Sequence, residues 1–253
     1  MKLIHKFKSP NFNNRNSKII EFVIIHYTAL NSTADSINYL CSKKNKVSCH
    51  YLISNDGKIY NLVHENKRAW HAGKSFWREN SDINSSSIGI ELDYSPYGNN
   101  NKYTIQLINS LLKLLKRIVK NYNISPINIL GHSDVAPYRK IDPGKTFPWH
   151  ILEDKNLISK ISISKNSKIL QNIIDKWFLK HSLKTKKRRI LFMLSYIGYD
   201  ITLALKKDFF FNMLLTAYAS RYKYYSNYNY NKKNVDKIIK IHFLQMVLTK
   251  LKK

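Results

Sequence analysis

The chain changes its hydrophobic period partway along. Residues 19–29, IIEFVIIHYTA, are β-branched and apolar enough to predict a central strand that ends at His26-Tyr27-Thr28. Residues 33–43, TADSINYLCSK, predict a helix with Thr33 as its N-cap. Two alternating runs in residues 50–63 flank Asn55-Asp56-Gly57, the signature of a hairpin. SIGIELDY, residues 87–94, predicts another buried strand. In residues 103–122 the spacing places Ile105, Ile108, Leu111, Leu112, Leu115, Ile118 and Val119 on one helical face, with Lys113, Lys116 and Lys120 away from it. INIL, residues 127–130, is a short strand that runs straight into His132. Strands alternating with helices, plus one hairpin, predict an α/β fold with a mixed central sheet flanked by helices.

Past residue 153 the pattern differs. Residues 154–168, DKNLISKISISKNSK, are polar without a clear apolar period and read as a linker. Beyond them, residues 169–180, 188–197, 205–222 and 235–251 carry apolar side chains at helical spacing, with no strand alternation. The expected organisation is therefore an α/β domain over residues 1–155 and a small all-α domain over 165–253.

Composition narrows the function classes. A chain of 253 residues that is 43% apolar can bury one large core or two smaller ones. The most apolar stretch, residues 190–205, is broken by Ser195, Gly198 and Asp200, so no transmembrane segment is expected. The N-terminal residues lack a continuous apolar run and a small-residue cleavage site, so no secretory signal is visible. Cys41 and Cys49 form neither a disulfide framework nor a metal knuckle and are expected as small buried side chains. The formal charge of +27 invites a polyanionic partner. Lys, Asn, Ile and Tyr are enriched together, however, as a low-GC genome would produce, and the aromatics follow no base-reading pattern; nucleic acid is not the expected partner. Charge is uneven, with 20 Lys/Arg against 4 Asp/Glu in residues 161–253, a net of +16.

Candidate chemistry concentrates in NILGHSDVAPYRKIDPG, residues 128–144. Proline and glycine across 137–144 impose a shaped loop between His132 and Asp142. Together with His26 these residues have the donor chemistry of a zinc site with two imidazoles, one carboxylate and an open fourth position. A purely structural histidine at a strand end is the competing reading. VIIHYTA, VSCHYLISNDGKIYNLV, RAWHAG, SIGIEL and GHSDVAPYRKIDPG occur in order over about residues 18–150. In these blocks the chain resembles the zinc-dependent N-acetylmuramoyl-L-alanine amidases of the AmpD/AmiD type, with phage amidase-type lysozymes and peptidoglycan-recognition proteins.

The resemblance implies the peptidoglycan-recognition/amidase fold, one Zn2+ per chain on His26, His132 and Asp142, and Glu91 and Lys140 as catalytic residues. It implies hydrolysis of the bond between N-acetylmuramic acid and L-alanine in peptidoglycan or muropeptides. His50, Trp70 and His71 fall in family blocks and are candidates for lining the substrate cleft, as is Trp77; packing is the alternative for all four. Where some relatives carry a catalytic Tyr, this chain has Cys49, which shifts the proton-transfer burden to Glu91. The C-terminal helices resemble, more faintly, the three-helix peptidoglycan-binding modules of AmiD-type enzymes, without the glycines usual before the last helix. A wall-binding appendage argues for the cell envelope, whereas the missing signal argues for the cytoplasm. A non-catalytic peptidoglycan-binding protein and a polyanion-binding protein are the competing functions.

Overall fold

Alternation along one strand sets the layers. In β7 (Ser87–Leu92), Ile88, Ile90 and Leu92 pack on one face of the sheet, and Ser87, Gly89 and Glu91 occupy the other. The structure, a computed structural model, describes residues 1–97, 101–161, 167–222 and 232–251. β7 lies between β3 (Phe22–Tyr27) and β4 (Tyr51–Ile53), parallel to both. β8 (Ile129–Gly131) continues the sheet parallel to β3. On the other side β5 (Ile59–Asn61) pairs antiparallel with β4 through the expected Asn55-Asp56-Gly57 turn, and β1 (Leu3–Ile4) pairs with β5. The mixed sheet has the order β1-β5-β4-β7-β3-β8, and β2 (Phe12–Asn14) forms a separate ribbon with β6 (Lys67–Ala69).

The first face is sealed by α3 (Ile105–Tyr122), whose Leu107, Ile108, Leu111, Leu114, Leu115 and Ile118 pack on Val23, Ile25, Ile88 and Ile90. Each such side chain contributes about 1.5–3 kcal/mol through burial. Leu107 and Leu114 complete this stripe at helical spacing from Leu111, so the face is rotated from the expected one, and Ile105 stays 63% exposed in the first turn. The three lysines point outward as expected.

Two groups of helices cover the second face. At the β4 and β5 end, Ile37 and Leu40 of α1 (Thr33–Cys41) pack with Cys49, Leu52 and Leu62. Ser32, not Thr33, caps α1: its backbone is extended and its hydroxyl accepts from the Asp35 N–H. At the β3 and β8 end lie α7 (Lys186–Ile197), α8 (Thr202–Lys206), α9 (Asp208–Tyr222), α10 (Lys232–Leu251) and α6 (Ser167–Lys180). Leu191, Leu194, Leu214 and Tyr218 share one cluster with Phe22, Ile24, Leu130 and Trp77 of the α/β part, so the helices and the sheet have a common core. The segment expected as one helix over 205–222 breaks at Lys207, which is extended between α8 and α9.

Residues 155–161 are packed, with Leu157 and Ile158 buried in the α3 cluster. Residues 162–166 of the expected linker, and the Tyr- and Asn-rich stretch at 223–231 ahead of the last helix, lie outside the described residues. Three short helices were not legible as periods: α2 (Ile83–Ser86), α4 (His132–Val135) and α5 (Trp149–Asp154). Among the described residues, no helix is long and apolar enough to cross a membrane.

Candidate metal centre and active site

Register brings the chemistry to one edge of the sheet. His26 and Glu91 are direct partners across β3 and β7, so their side chains leave the same face. Ile25 is the partner of Gly131, which places His132 beside His26. All three residues thus stand at the C-terminal ends of parallel strands, the edge where open α/β sheets bind ligands. The loop after α4 returns Asp142 to the same point, and the Ser133 N–H donates to the Asp142 carbonyl at 2.9 Å.

Three atoms converge there. His26 Nδ1 lies 2.9 Å from His132 Nδ1, and both lie 3.0 Å from Asp142 Oδ2; all three residues are buried. The tautomers follow from what lies behind them. Ser87 Oγ donates to the Ile83 carbonyl at 2.5 Å, so it accepts from His71 Nε2 at 3.2 Å. His71 Nδ1 is then an acceptor for His26 Nε2–H at 3.1 Å, which leaves His26 Nδ1 without a proton. His132 Nε2 donates to the Ala72 carbonyl at 3.1 Å, which bares its Nδ1 as well. Two imidazole lone pairs and a carboxylate oxygen that confront one another at this spacing could hold a metal ion between them. Protonation of His26 is opposed by burial first and then by His132, which lower it to about 4. The donor set fits a metal ion, and partners behind both ligands fix ring orientation as metal sites require. Burial disfavours ionisation of Asp142, but a proton on His132 or His26 outweighs it and holds the carboxyl well below its usual range, so in the three-group set the proton belongs to an imidazole before it belongs to Asp142.

The remaining histidines of the family blocks lie behind the ligands. The rings of His50, His71, His26 and His132 form an edge-to-face row with successive centroid separations of 5.6, 5.1 and 4.5 Å. His50 is fully buried; its Nδ1 accepts from the Gly89 N–H and its Nε2 donates to the Lys67 carbonyl, both at 2.9 Å. Burial lowers His50 to about 3 and His71 well below its ordinary value, so both are neutral. Gly89 makes room for this row: a Cβ there would lie 2.4 Å from His71 Cγ. Asn84 Oδ1 accepts from the backbone N–H of His71 and Ala72, fixing the segment that supports both ligands. Trp70 is half-buried, with its indole N–H on Asn13, whereas Trp77 is buried edge-to-face against Tyr199 and belongs to the shared core.

Glu91 is 8% exposed, and its Oε2 has no hydrogen-bond partner among the described residues. Burial first, then Asp142, with Lys140 opposing, pushes Glu91 up to about 8. Cys49 is fully buried, with its thiol pushed up mainly by burial, and both cysteines are free. Pattern reasoning missed the wall of the loop: Tyr103 stacks on Tyr94 at 4.1 Å and its hydroxyl donates to the Pro143 carbonyl at 2.7 Å. It also missed Arg139, which bonds the Ala72 carbonyl beside His132.

The raised Glu91 has a measurable consequence in the metal-free protein. Between its ordinary 4.5 and about 8, the folded chain keeps a proton that the unfolded chain has released. Stability therefore falls as pH rises through that window, by at most about 1.4 kcal/mol per pH unit. Glu91→Gln removes this slope. The metal-free variant should exceed the wild type in urea midpoint by a margin that widens from about pH 5 to pH 8; a constant margin would refute the raised pKa.

Comparison with known proteins follows the same geometry. The family description N-acetylmuramoyl-L-alanine amidase matches residues 15–145. The chain is 38% identical over 151 residues to the N-acetylmuramoyl-L-alanine amidase AmiD of Escherichia coli, a match that covers 54% of this chain and 54% of AmiD. It thus spans about half the length of that relative. It is 34% identical over 163 residues to the 1,6-anhydro-N-acetylmuramyl-L-alanine amidase AmpD of Haemophilus influenzae, covering 57% of this chain and 87% of that one. Likeness in structure extends further. The E. coli AmiD complex with anhydro-N-acetylmuramic acid-L-Ala-D-gamma-Glu-L-Lys superposes with a TM-score of 0.69 at 25% identity, covering 94% of this chain and 93% of that one. AmpDh3 of Pseudomonas aeruginosa gives 0.72 at 28% identity and 96% coverage of both chains, so the likeness includes the C-terminal helices.

Proposed function

Because this chain belongs to the N-acetylmuramoyl-L-alanine amidase family, we propose that it hydrolyses the amide between N-acetylmuramic acid, intact or anhydro, and L-alanine in peptidoglycan or muropeptides. The observation that carries the reading is the convergence of two bare imidazole nitrogens and a carboxylate oxygen beside the buried carboxyl of Glu91, whose Oε2 lacks a partner among the described residues. His26, His132 and Asp142 would hold one zinc ion per chain. Zinc bound there supplies a Lewis acid for the scissile carbonyl and a lowered pKa for water.

The protein's own groups account for the rest. Glu91 is the base that takes a proton from water and returns it to the departing alanine nitrogen; as the register partner of His26 it is placed beside the ligands for both transfers. Lys140 is half-buried and close enough to lower both the Glu91 and the His26 pKa; it is the cation for charge developing on the carbonyl oxygen. His71 holds the tautomer of His26, and His50 supports His71 through Gly89, so we assign both to positioning rather than to substrate contact. Trp70 stays the aromatic candidate for substrate contact. We assign the chemistry to residues 1–155 and a wall-contacting role to residues 165–253, supported by their excess of basic residues. A wall-contacting role for these helices favours an envelope location over the cytoplasm.

The test is direct. Purified protein, stripped with a chelator and reloaded with one equivalent of zinc, is mixed with anhydro-N-acetylmuramyl-L-Ala-D-γ-Glu-L-Lys. Mass spectrometry should find the free tripeptide only after reloading. Binding of this ligand to zinc-loaded protein without release of tripeptide would establish the non-catalytic recognition function instead.

A further inference from the structure

The segment that carries His132 is held from the far end of the chain. α4 begins with His132, directly after β8, and consists of four residues. Its Asp134 is completely buried, and the carboxylate is fully engaged: Oδ2 accepts from the Gly131 N–H at 2.8 Å and from Arg221 Nη1 at 2.6 Å, and Oδ1 accepts from the Tyr199 hydroxyl at 2.6 Å. Arg221 Nη2 donates to the Ile129 carbonyl at 2.7 Å. The guanidinium lies 4.3 Å from the Trp149 ring centroid, stacked over α5. One planar cation in α9 therefore grips both ends of the strand-to-helix turn from which His132 projects. Tyr199, in the α7–α8 connection, closes the other side of the carboxylate.

We propose that Arg221 and Tyr199 are positioning residues for the metal centre: through Asp134 they hold the β8–α4 turn so that His132 presents its bare Nδ1 to His26 and Asp142. The C-terminal helices are thus part of the apparatus that shapes the metal site, whatever else they contact. The inference rests on metal occupancy at His26, His132 and Asp142. Its physical basis is that a short turn on a chain end of β8 would sample several orientations without a partner for Asp134. An isolated carboxylate at that depth would also be strongly unfavourable. Arg221 can serve Asp134 and Ile129 together because its fork offers parallel donors, which a lysine does not.

The experiment uses full-length protein and compares wild type with Tyr199→Phe, Arg221→Lys and Leu214→Ala. Leu214 is fully buried in the same helix cluster, so its truncation loosens the packing without touching Asp134. Zinc affinity is measured by competition with a chromogenic chelator, at a temperature where circular dichroism shows each variant folded. Visible spectra of cobalt-loaded samples report ligand geometry. Tyr199→Phe and Arg221→Lys should weaken zinc binding by about tenfold, the low end of the range for losing a partner behind a ligand because they act through Asp134 and the turn, and should alter the cobalt bands. Leu214→Ala should lower the melting temperature and leave zinc affinity and cobalt bands unchanged. Should Arg221→Lys not fold, Tyr199→Phe, which removes one hydroxyl, decides the matter. Wild-type affinity in folded Tyr199→Phe, or an equal loss in Leu214→Ala, overturns the proposal. A wild type that binds no zinc overturns the metal reading as well, so the two failures are distinguishable.

Discussion

Glu91→Gln is expected to keep its metal and to lose about a hundred- to ten-thousand-fold in turnover. The amide has nearly the shape of the carboxyl, so the β7 backbone and the ligands on β3 and at the start of α4 need not move. It cannot take up a proton, and it is neutral at every pH. The loss should fall on kcat rather than on KM, because the proton moves only in the reacting complex. The structure makes the assignment specific: Glu91 is the register partner of His26, is buried, and has a carboxylate oxygen with no partner among the described residues. Metal content by plasma emission, together with single-turnover rates on a soluble muropeptide, checks both halves. Turnover near wild type in a fully loaded variant would move the proton-transfer role to another residue.

Asp142→Ala, His132→Ala and His26→Ala should each abolish activity together with stoichiometric metal binding. Asp142 supplies the one formal negative charge of the converging set, so Asp142→Asn is the informative variant: it keeps an oxygen near the site and removes the charge. Its affinity should fall well beyond the about 10- to 100-fold typical of losing a partner behind a ligand. A second readout is independent of catalysis. A ligand that binds only the folded state stabilises it by about 2.7 kcal/mol at a hundredfold excess over Kd. Added zinc should therefore raise the wild-type melting temperature and leave all three alanine variants unmoved. A zinc-dependent rise in any of them would remove that residue from the ligand set.

Sequence and structure agree where a period is long enough to read. β3, β7, α3 and the 50–63 hairpin each extend over enough residues for strand or helix spacing to stand out. β1, β2 and β6 are two or three residues long and exist through their partners, so no local pattern announces them. The candidate ligands were legible because a loop rich in Pro and Gly encloses them and because the blocks around them resemble a family. The supporting residues were not. His71 depends on Gly89 across the sheet and on Ser87, a relation that the alternation Ser-x-Gly-x-Glu in SIGIEL hints at: small or polar residues line one face of an otherwise apolar strand. Arg221 is 87 residues from Asp134, and only its presence in the apolar run LLTAYASRY marks it as unusual.

The common core of sheet and helices bears on how such chains can be recombined. Phe22, Ile24, Leu130 and Trp77 share one buried apolar cluster with Leu191, Leu194, Leu214 and Tyr218. Transplanting a different helical half onto this sheet is thus a problem of matching two apolar surfaces, and adjusting the length of the connecting segment will not solve it. A library that co-varies the residues facing each other across this boundary is the productive way to exchange the helical half.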